Sequence, residues 1–292
     1  MTRRFLLWLT VACALGAAPS SAATFKWAGV KSPAKEGGSP GKQGEFLTLA
    51  ASEDWLNAVR SVQGRFPAAR PSITWAVGPL REKVKDLTDE QRAHEAHLAR
   101  FDAGAVDVFL EIWPAKGDDV PAQIDSWLKA LGGHRCVVGF SVDLEWYHGI
   151  DDATAEAWDK ALKAHDPKYR LMLKHWDLAA MPKAYAKKSD VICVNMSSEV
   201  DQAGMVKDFA EWANALAPGA VAFQTGYPWD ESWWKDLKDP VKDLGTSILD
   251  AVDSPTQELG LLWVTLKSPL TPGWDLTRAA TPTPRPRSRP AR

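Results

Sequence analysis

The chain has 292 residues, 45% of them apolar and 25% charged, with a formal net charge of −2. That is enough chain for one large core or two smaller ones, and the balanced charge gives no electrostatic reason to expect nucleic acid or an acidic membrane surface as partner. Fifteen tryptophans, against an expected background of about 1% of residues, are the one compositional departure.

Residues 1–23 read as an export signal. Arg3 and Arg4 make a positive start, Phe5 to Ala18 an apolar stretch too short for a permanent membrane span, and Ser20-Ser21-Ala22 a small-residue cleavage site. The expected mature protein is secreted or periplasmic. Two variants stand beside simple cleavage: TVAC around Cys13 loosely resembles a lipobox and offers a lipid anchor, and the twin arginines resemble a Tat signal. Without Cys13 only Cys136 and Cys193 remain, each inside an apolar run and expected as a buried thiol.

From residue 24 to about 275 the chain alternates. Strand-like runs are FKWAGV (25–30), SITWAVGPL (72–80), VDVFLEIWP (106–114), CVVGFSVDLEW (136–146), RLMLKHWD (170–177), VICVNMSS (191–198), AVAFQTGYP (220–228) and LGLLWVTL (259–266). Most are nearly continuous in apolar residues, as strands covered on both faces must be. FLTLAA (46–51) competes with the first of them, and the glycine-rich segment before it reads as a long first βα loop. Helical patterns lie between. Thr88-Asp89-Glu90-Gln91 is a capping box opening a helix to about Arg100, and Ile124, Trp127, Leu128 and Leu131 recur at helical spacing before Gly132-Gly133. Trp158 and Leu162 mark a third helix, and Met205, Phe209, Trp212 and Leu216 a fourth, ended by Pro218-Gly219. Eight strands in alternation with helices predict an α/β fold, a single-domain (β/α)₈ TIM barrel. Residues 276–292, rich in Pro and Arg, predict a disordered basic tail.

In such barrels the site lies at the C-terminal rim of the strands. The strand ends place Glu111 and Trp113 there, then Asp143 and Glu145, and Lys174, His175 and Asp177. Asn195, Met196, Ser198 and Glu199 follow, then Gln224, Tyr227, Trp229 and Asp230, and lastly Trp263 and Lys267. Asp143 and Glu145 are two residues apart on one strand, so they are expected on one face, each raising the other's pKa. The set is carboxylate-rich and aromatic. Indoles stack on sugar rings, while carboxylates and amides bond hydroxyls, so it suits a carbohydrate cleft, with one carboxyl protonated for acid catalysis. Such chemistry needs no metal or organic cofactor.

GFSVDLEWY resembles the strand-four signature D-x-x-D-x-D-x-E of family 18 glycoside hydrolases, the chitinases and their relatives. The resemblance implies a general acid at Glu145 and, at Asp143, a partner that orients the substrate's N-acetyl group. NMSSE is similar to the family's strand-six motif at Met196 and Glu199, and GLLWVTL to its last strand, implying that Trp263 floors the sugar site. The chain departs from the family at Ser141, where an aspartate is usual, and at Ser198, where a tyrosine is; Tyr227 could serve from strand seven.

The function expected is cleavage of a glycosidic bond, in an amino-sugar polymer of chitin or peptidoglycan kind, by Glu145 and Asp143. Trp113, Glu111, His175, Asn195, Met196, Glu199, Gln224, Tyr227, Trp229 and Trp263 would bind substrate. Two alternatives belong to other classes: a barrel that binds saccharide without cleaving it, and a metal-assisted phosphodiesterase with Glu111, Asp143 and Glu145 as ligands. Plainer roles are also open. Asp143 could pair with Lys174, Trp113 and Trp263 could pack in the core, and the tryptophan-rich segment 227–234 could be a helix on the barrel rather than an exposed binding surface. His94 and His97, three apart, do not fit the zincin spacing and are expected on a solvated helix face.

Overall fold

The computed structural model describes residues 23–32, 52–78, 89–268, 270, 271 and 273–278. The export signal, the FLTLAA segment, Thr88 and nearly all of the basic tail lie outside the described residues. Eight parallel strands, β1 (Phe25–Lys31), β2 (Arg70–Ala76), β3 (Asp107–Ile112), β4 (Val137–Asp143), β5 (Arg170–His175), β6 (Ile192–Asn195), β7 (Ala220–Thr225) and β8 (Leu259–Trp263), close into a barrel in chain order. The (β/α)₈ architecture expected from the alternation is the one observed.

The helices are α1 (Ser52–Gly64), α2 (Asp89–Gly104), α3 (Val120–Leu131), α4 (Asp152–Lys163), α5 (Lys183–Ala186), α6 (Gln202–Leu216), α7 (Glu231–Trp234) and α8 (Pro240–Ala251). Four of them begin on one device. Asp119, Asp151, Asp201 and Asp239 each accept a hydrogen bond from a backbone N–H of the first turn, which satisfies a donor the helix leaves orphaned. Apolar residues at helical spacing, such as Val241, Leu244 and Ile248 on α8, then bury against the strands.

Strand residues alternate between two cores. One set, with Phe140, Val142, Leu171 and Leu173, packs outward beneath the helices. The other, with Trp27, Phe109, Met172, Ile192, Val194, Ala222 and Leu262, fills the barrel itself. Gly260 makes room for the largest of these, since a Cβ there would fall 2.0 Å from the Trp27 indole nitrogen. Hydrocarbon thus fills the lower barrel, and the polar residues of the same inward-facing set come at the strand ends.

Where the structure departs from the sequence patterns, it does so mainly at those ends. β4 stops at Asp143 rather than running to residue 146, and β6 stops at Asn195 rather than 198. His94 and His97 are not on a solvated face either. Trp75 Nε1 donates to His94 Nδ1 at 3.1 Å, and the His97 ring packs on the same indole at 4.8 Å. Cys136 and Cys193 are buried free thiols, as expected.

Gly226, just past β7, has φ of +77°, and a Cβ on it would lie 2.3 Å from the Trp263 indole. Both the left-handed backbone and the close approach exclude a side chain. Gly226→Ala is expected to cost at least ~2 kcal/mol, from backbone strain and overpacking together, and to lower the thermal unfolding midpoint. An unchanged midpoint would mean that this turn yields without cost.

Candidate active site

The strand register builds the site. Glu111 on β3 lies level with Ser141 on β4, and Asp143 on β4 lies level with Lys174 on β5. Level residues on parallel neighbours share a face, so these side chains meet at the barrel's C-terminal end. Lys174 Nζ donates to Glu111 Oε2 at 2.6 Å and stands 3.9 Å from Asp143 Oδ2. Ser141 Oγ donates to the same Glu111 oxygen at 3.2 Å, and Lys31, at the end of β1, donates to Glu111 Oε1. The Lys174 side chain is 0% exposed and that of Glu111 1%. The Lys174 ammonium and the Glu111 carboxylate are therefore sealed into the barrel mouth, with the partly buried Lys31 ammonium and a second carboxyl beside them.

Their environments push the two carboxyls apart. Burial would raise Glu111, but Lys174 and Lys31 outweigh it and hold that carboxyl at about 2 instead of its usual 4.5. Asp143 goes the other way. Burial raises it, with Glu111 adding to the rise and Lys174 and Lys31 opposing. Burial also drives Lys174 down, against the pull of Glu111. One acid is kept ionised and its neighbour is biased toward the protonated form, the divergence expected of an acid–base site.

Glu145 is not on the strand face expected for it. Residues 145–148 form a turn, and the Glu145 N–H donates to Asp143 Oδ1 at 3.0 Å. Asp143 therefore supports the turn that carries Glu145, and Glu111 is a like-charged neighbour that raises Asp143. The acids remain adjacent, but through backbone rather than as parallel side chains. Flanking them, Trp146 and Trp176 are 39% and 48% exposed, and Trp176 stacks on His175 at 4.2 Å. The His175 Nδ1 accepts from the Asp177 N–H at 2.8 Å, which leaves Nε2 to carry the ring's proton in its neutral form, and burial lowers its pKa.

No family model matches the chain, and no curated protein proved similar to it. Among solved structures it resembles the endoglucanase Cel5A of Pseudomonas stutzeri, with 14% identity over 82% of this chain and 85% of that one, at a TM-score of 0.50. It also resembles XacCel5A, solved in complex with cellopentaose, with 13% identity over 84% and 91% and a TM-score of 0.53. At such identities the shared property is the barrel fold. The family 18 resemblance stays confined to the strand-four motif and its weaker companions.

The other expected site residues divide. Tyr227 and Gln224 come together: Gln224 Nε2 donates to the Tyr227 hydroxyl, which lies 3.4 Å from the Met196 carbonyl oxygen, and Trp229 stacks on the Tyr227 ring at 4.8 Å. Burial pushes the Tyr227 phenol well up, and Asp143 adds to the rise. Asn195 is buried and turns inward on its own chain, accepting from the Ser197 N–H. Trp113 is half-buried beside Gly78. Glu199 is exposed, with φ of +64°, its N–H donating to Asp230.

Three expectations need correction. Trp263 is 0% exposed, packed among Trp234 and Trp274 with its Nε1 donating to the Thr265 carbonyl, so no face is left to floor a sugar site. The segment 227–234 is, of its two readings, the helical one and not the exposed surface: Pro228–Asp230 form a 3₁₀ turn that leads into α7, and Trp234 is completely buried. Glu111 is no open substrate contact or metal ligand, since both its oxygens are engaged by lysines. Among the described residues no three His, Cys, Asp or Glu side chains are grouped to hold a metal ion. Lys31, Trp146 and Trp176 were not singled out from the sequence. Register with Lys174 and Glu111 would have exposed the first, and the strand ends themselves the other two.

Glu111→Gln is expected to destabilise the fold by about 3–5 kcal/mol at neutral pH, because it strands two ammonium groups in the barrel mouth. Glu111 has a depressed pKa, so its stabilisation is present above 4.5 and lost as pH falls toward about 2. Urea unfolding should show the gap between wild type and variant narrowing over that interval. A constant gap would show that the loss is one of packing alone.

Proposed function

We propose that the protein hydrolyses a glycosidic bond of an oligo- or polysaccharide, in an amino-sugar polymer, with Glu145 as general acid and base. The observation that carries this reading is Asp143: a buried carboxyl biased toward its protonated form, hydrogen-bonded to the turn bearing Glu145, at the C-terminal end of a barrel strand. A glycosidic oxygen leaves only if protonated as the bond breaks, and a carboxyl positioned at that oxygen can supply the proton and recover it from water. Trp146 and Trp176, both exposed, present indole faces for sugar rings. The similar barrels described above, an endoglucanase and a protein bound to cellopentaose, are in keeping with a saccharide ligand.

The amino sugar in this reading rests on the strand-four motif, and action outside the cytoplasm rests on the expected signal at residues 1–23. No helix among the described residues is long and apolar enough to cross a membrane.

A second reading has one observation in its favour. Ser141 and two lysines tie up Glu111, so the cluster contains one engaged carboxylate where a further free one would assist catalysis. In that version the barrel binds saccharide without cleaving it.

Glu145→Gln should reduce the release of reducing ends from chitin or peptidoglycan fragments by at least ~10²-fold, the usual contribution of an acid–base group, while ligand binding persists. Unchanged turnover would remove the assignment, and wild-type binding without any cleavage would favour the second reading. Trp176→Ala should weaken oligosaccharide binding by about two- to tenfold, as the loss of one stacking contact does, measured by calorimetry.

A further inference from the structure

Lys174 has no part in the chemistry proposed for Glu145, yet it is the least exposed charged residue among the described residues. Its side chain is 0% exposed, and it reaches Glu111 at 2.6 Å and Asp143 at 3.9 Å. A buried ion pair seldom improves on well-packed hydrocarbon as a source of stability. The strands around it show that hydrocarbon was available, since Met172 and Val194 occupy the adjoining positions of the same interior. The two contacts differ in kind. To Glu111 the ammonium donates a hydrogen bond, and Lys31 and Ser141 hold that carboxylate from the other sides. To Asp143 it is too far to donate, so it acts there as a charge alone. Asp143, also buried, is in turn the more accessible of the two carboxyls, and its other oxygen accepts the Glu145 N–H.

Resting on the function proposed above, we propose that Lys174 is a positioning residue of the site: anchored on Glu111, it stands opposite the Asp143 carboxyl at a fixed distance and governs when that group carries its proton beneath the Glu145 turn. The charged and titratable groups that face Asp143 are Lys174 and His175 from β5, Glu111 from β3, Lys31 from β1 and Tyr227 from beyond β7. Of the charges acting on Asp143, Lys174 is the strongest, and it opposes burial. Its removal therefore leaves Asp143 protonated to higher pH, and Glu111, still ionised against Lys31, pushes in the same direction.

The test is a carboxyl-carbon NMR titration of Asp143 in wild type and in Lys174→Met, with the pH profile of kcat/KM measured alongside. The Asp143 midpoint should rise by about one to three pH units, the size of an opposite charge at this range. The limb of the activity profile that reports Asp143 should move by the same amount, with oligosaccharide affinity unchanged. If Lys174→Met fails to fold, the double variant Glu111→Gln, Lys174→Met replaces the pair by neutral groups. It removes two opposing influences of which Lys174 is the larger, so a smaller upward shift is expected. An Asp143 midpoint that stays in place in a folded variant overturns the proposal. A midpoint that moves in a protein with no glycan hydrolysis keeps the link between Lys174 and Asp143 and removes the hydrolase reading instead.

Discussion

The barrel mouth is organised around one interaction, the Glu111 carboxylate held between the ammonium groups of Lys174 and Lys31. Desolvating three charges costs energy, and only their close mutual contact with the Ser141 hydroxyl offsets it. The cluster ties β1, β3, β4 and β5 together where the backbone ladder ends. It also gives a reason for ionisable residues in strands that are otherwise dry. Below it the interior is hydrocarbon and Trp27; above it the loops begin.

This cluster gives Asp143 its character. A carboxyl level with a lysine would ordinarily form a direct ion pair, but Lys174 is already committed to Glu111 and reaches Asp143 only at 3.9 Å. Burial then prevails over the remaining attraction, and the carboxyl leans toward its protonated form. The same carboxyl receives the Glu145 N–H. Electrostatics inside the barrel are thus coupled to the position of the one turn on which the proposed chemistry depends.

The abundance of tryptophan has mostly a structural origin. Trp55, Trp127, Trp212, Trp234 and Trp263 are fully buried or nearly so, filling space between strands and helices. Large indoles suit that space, and their N–H groups find carbonyls, as Trp127 finds Gly78 and Trp212 finds Cys193. Trp146 and Trp176 differ because they lie just past the ends of β4 and β5, where the chain leaves the barrel, and both stay exposed among the described residues. Exposed indole surface comes from where a strand stops, not from how many aromatic residues the chain carries.

The sequence by itself determined the strands and their order, because a strand covered on both faces must be apolar for its whole length, and eight such runs are visible. It also carried the aspartates that start four of the helices, each placed just before an apolar periodicity, at Asp119, Asp151, Asp201 and Asp239. Candidate acids at the end of β4 followed from the same pattern. Tertiary structure alone decided that β4 ends at Asp143, that the partner acid of Asp143 is Glu111 thirty-two residues earlier in the chain, and that Trp263 is core. Those outcomes turn on the stagger between neighbouring strands and on which side chain reaches a shared ammonium first. Both are relations between distant segments, which periodicity within a segment cannot carry.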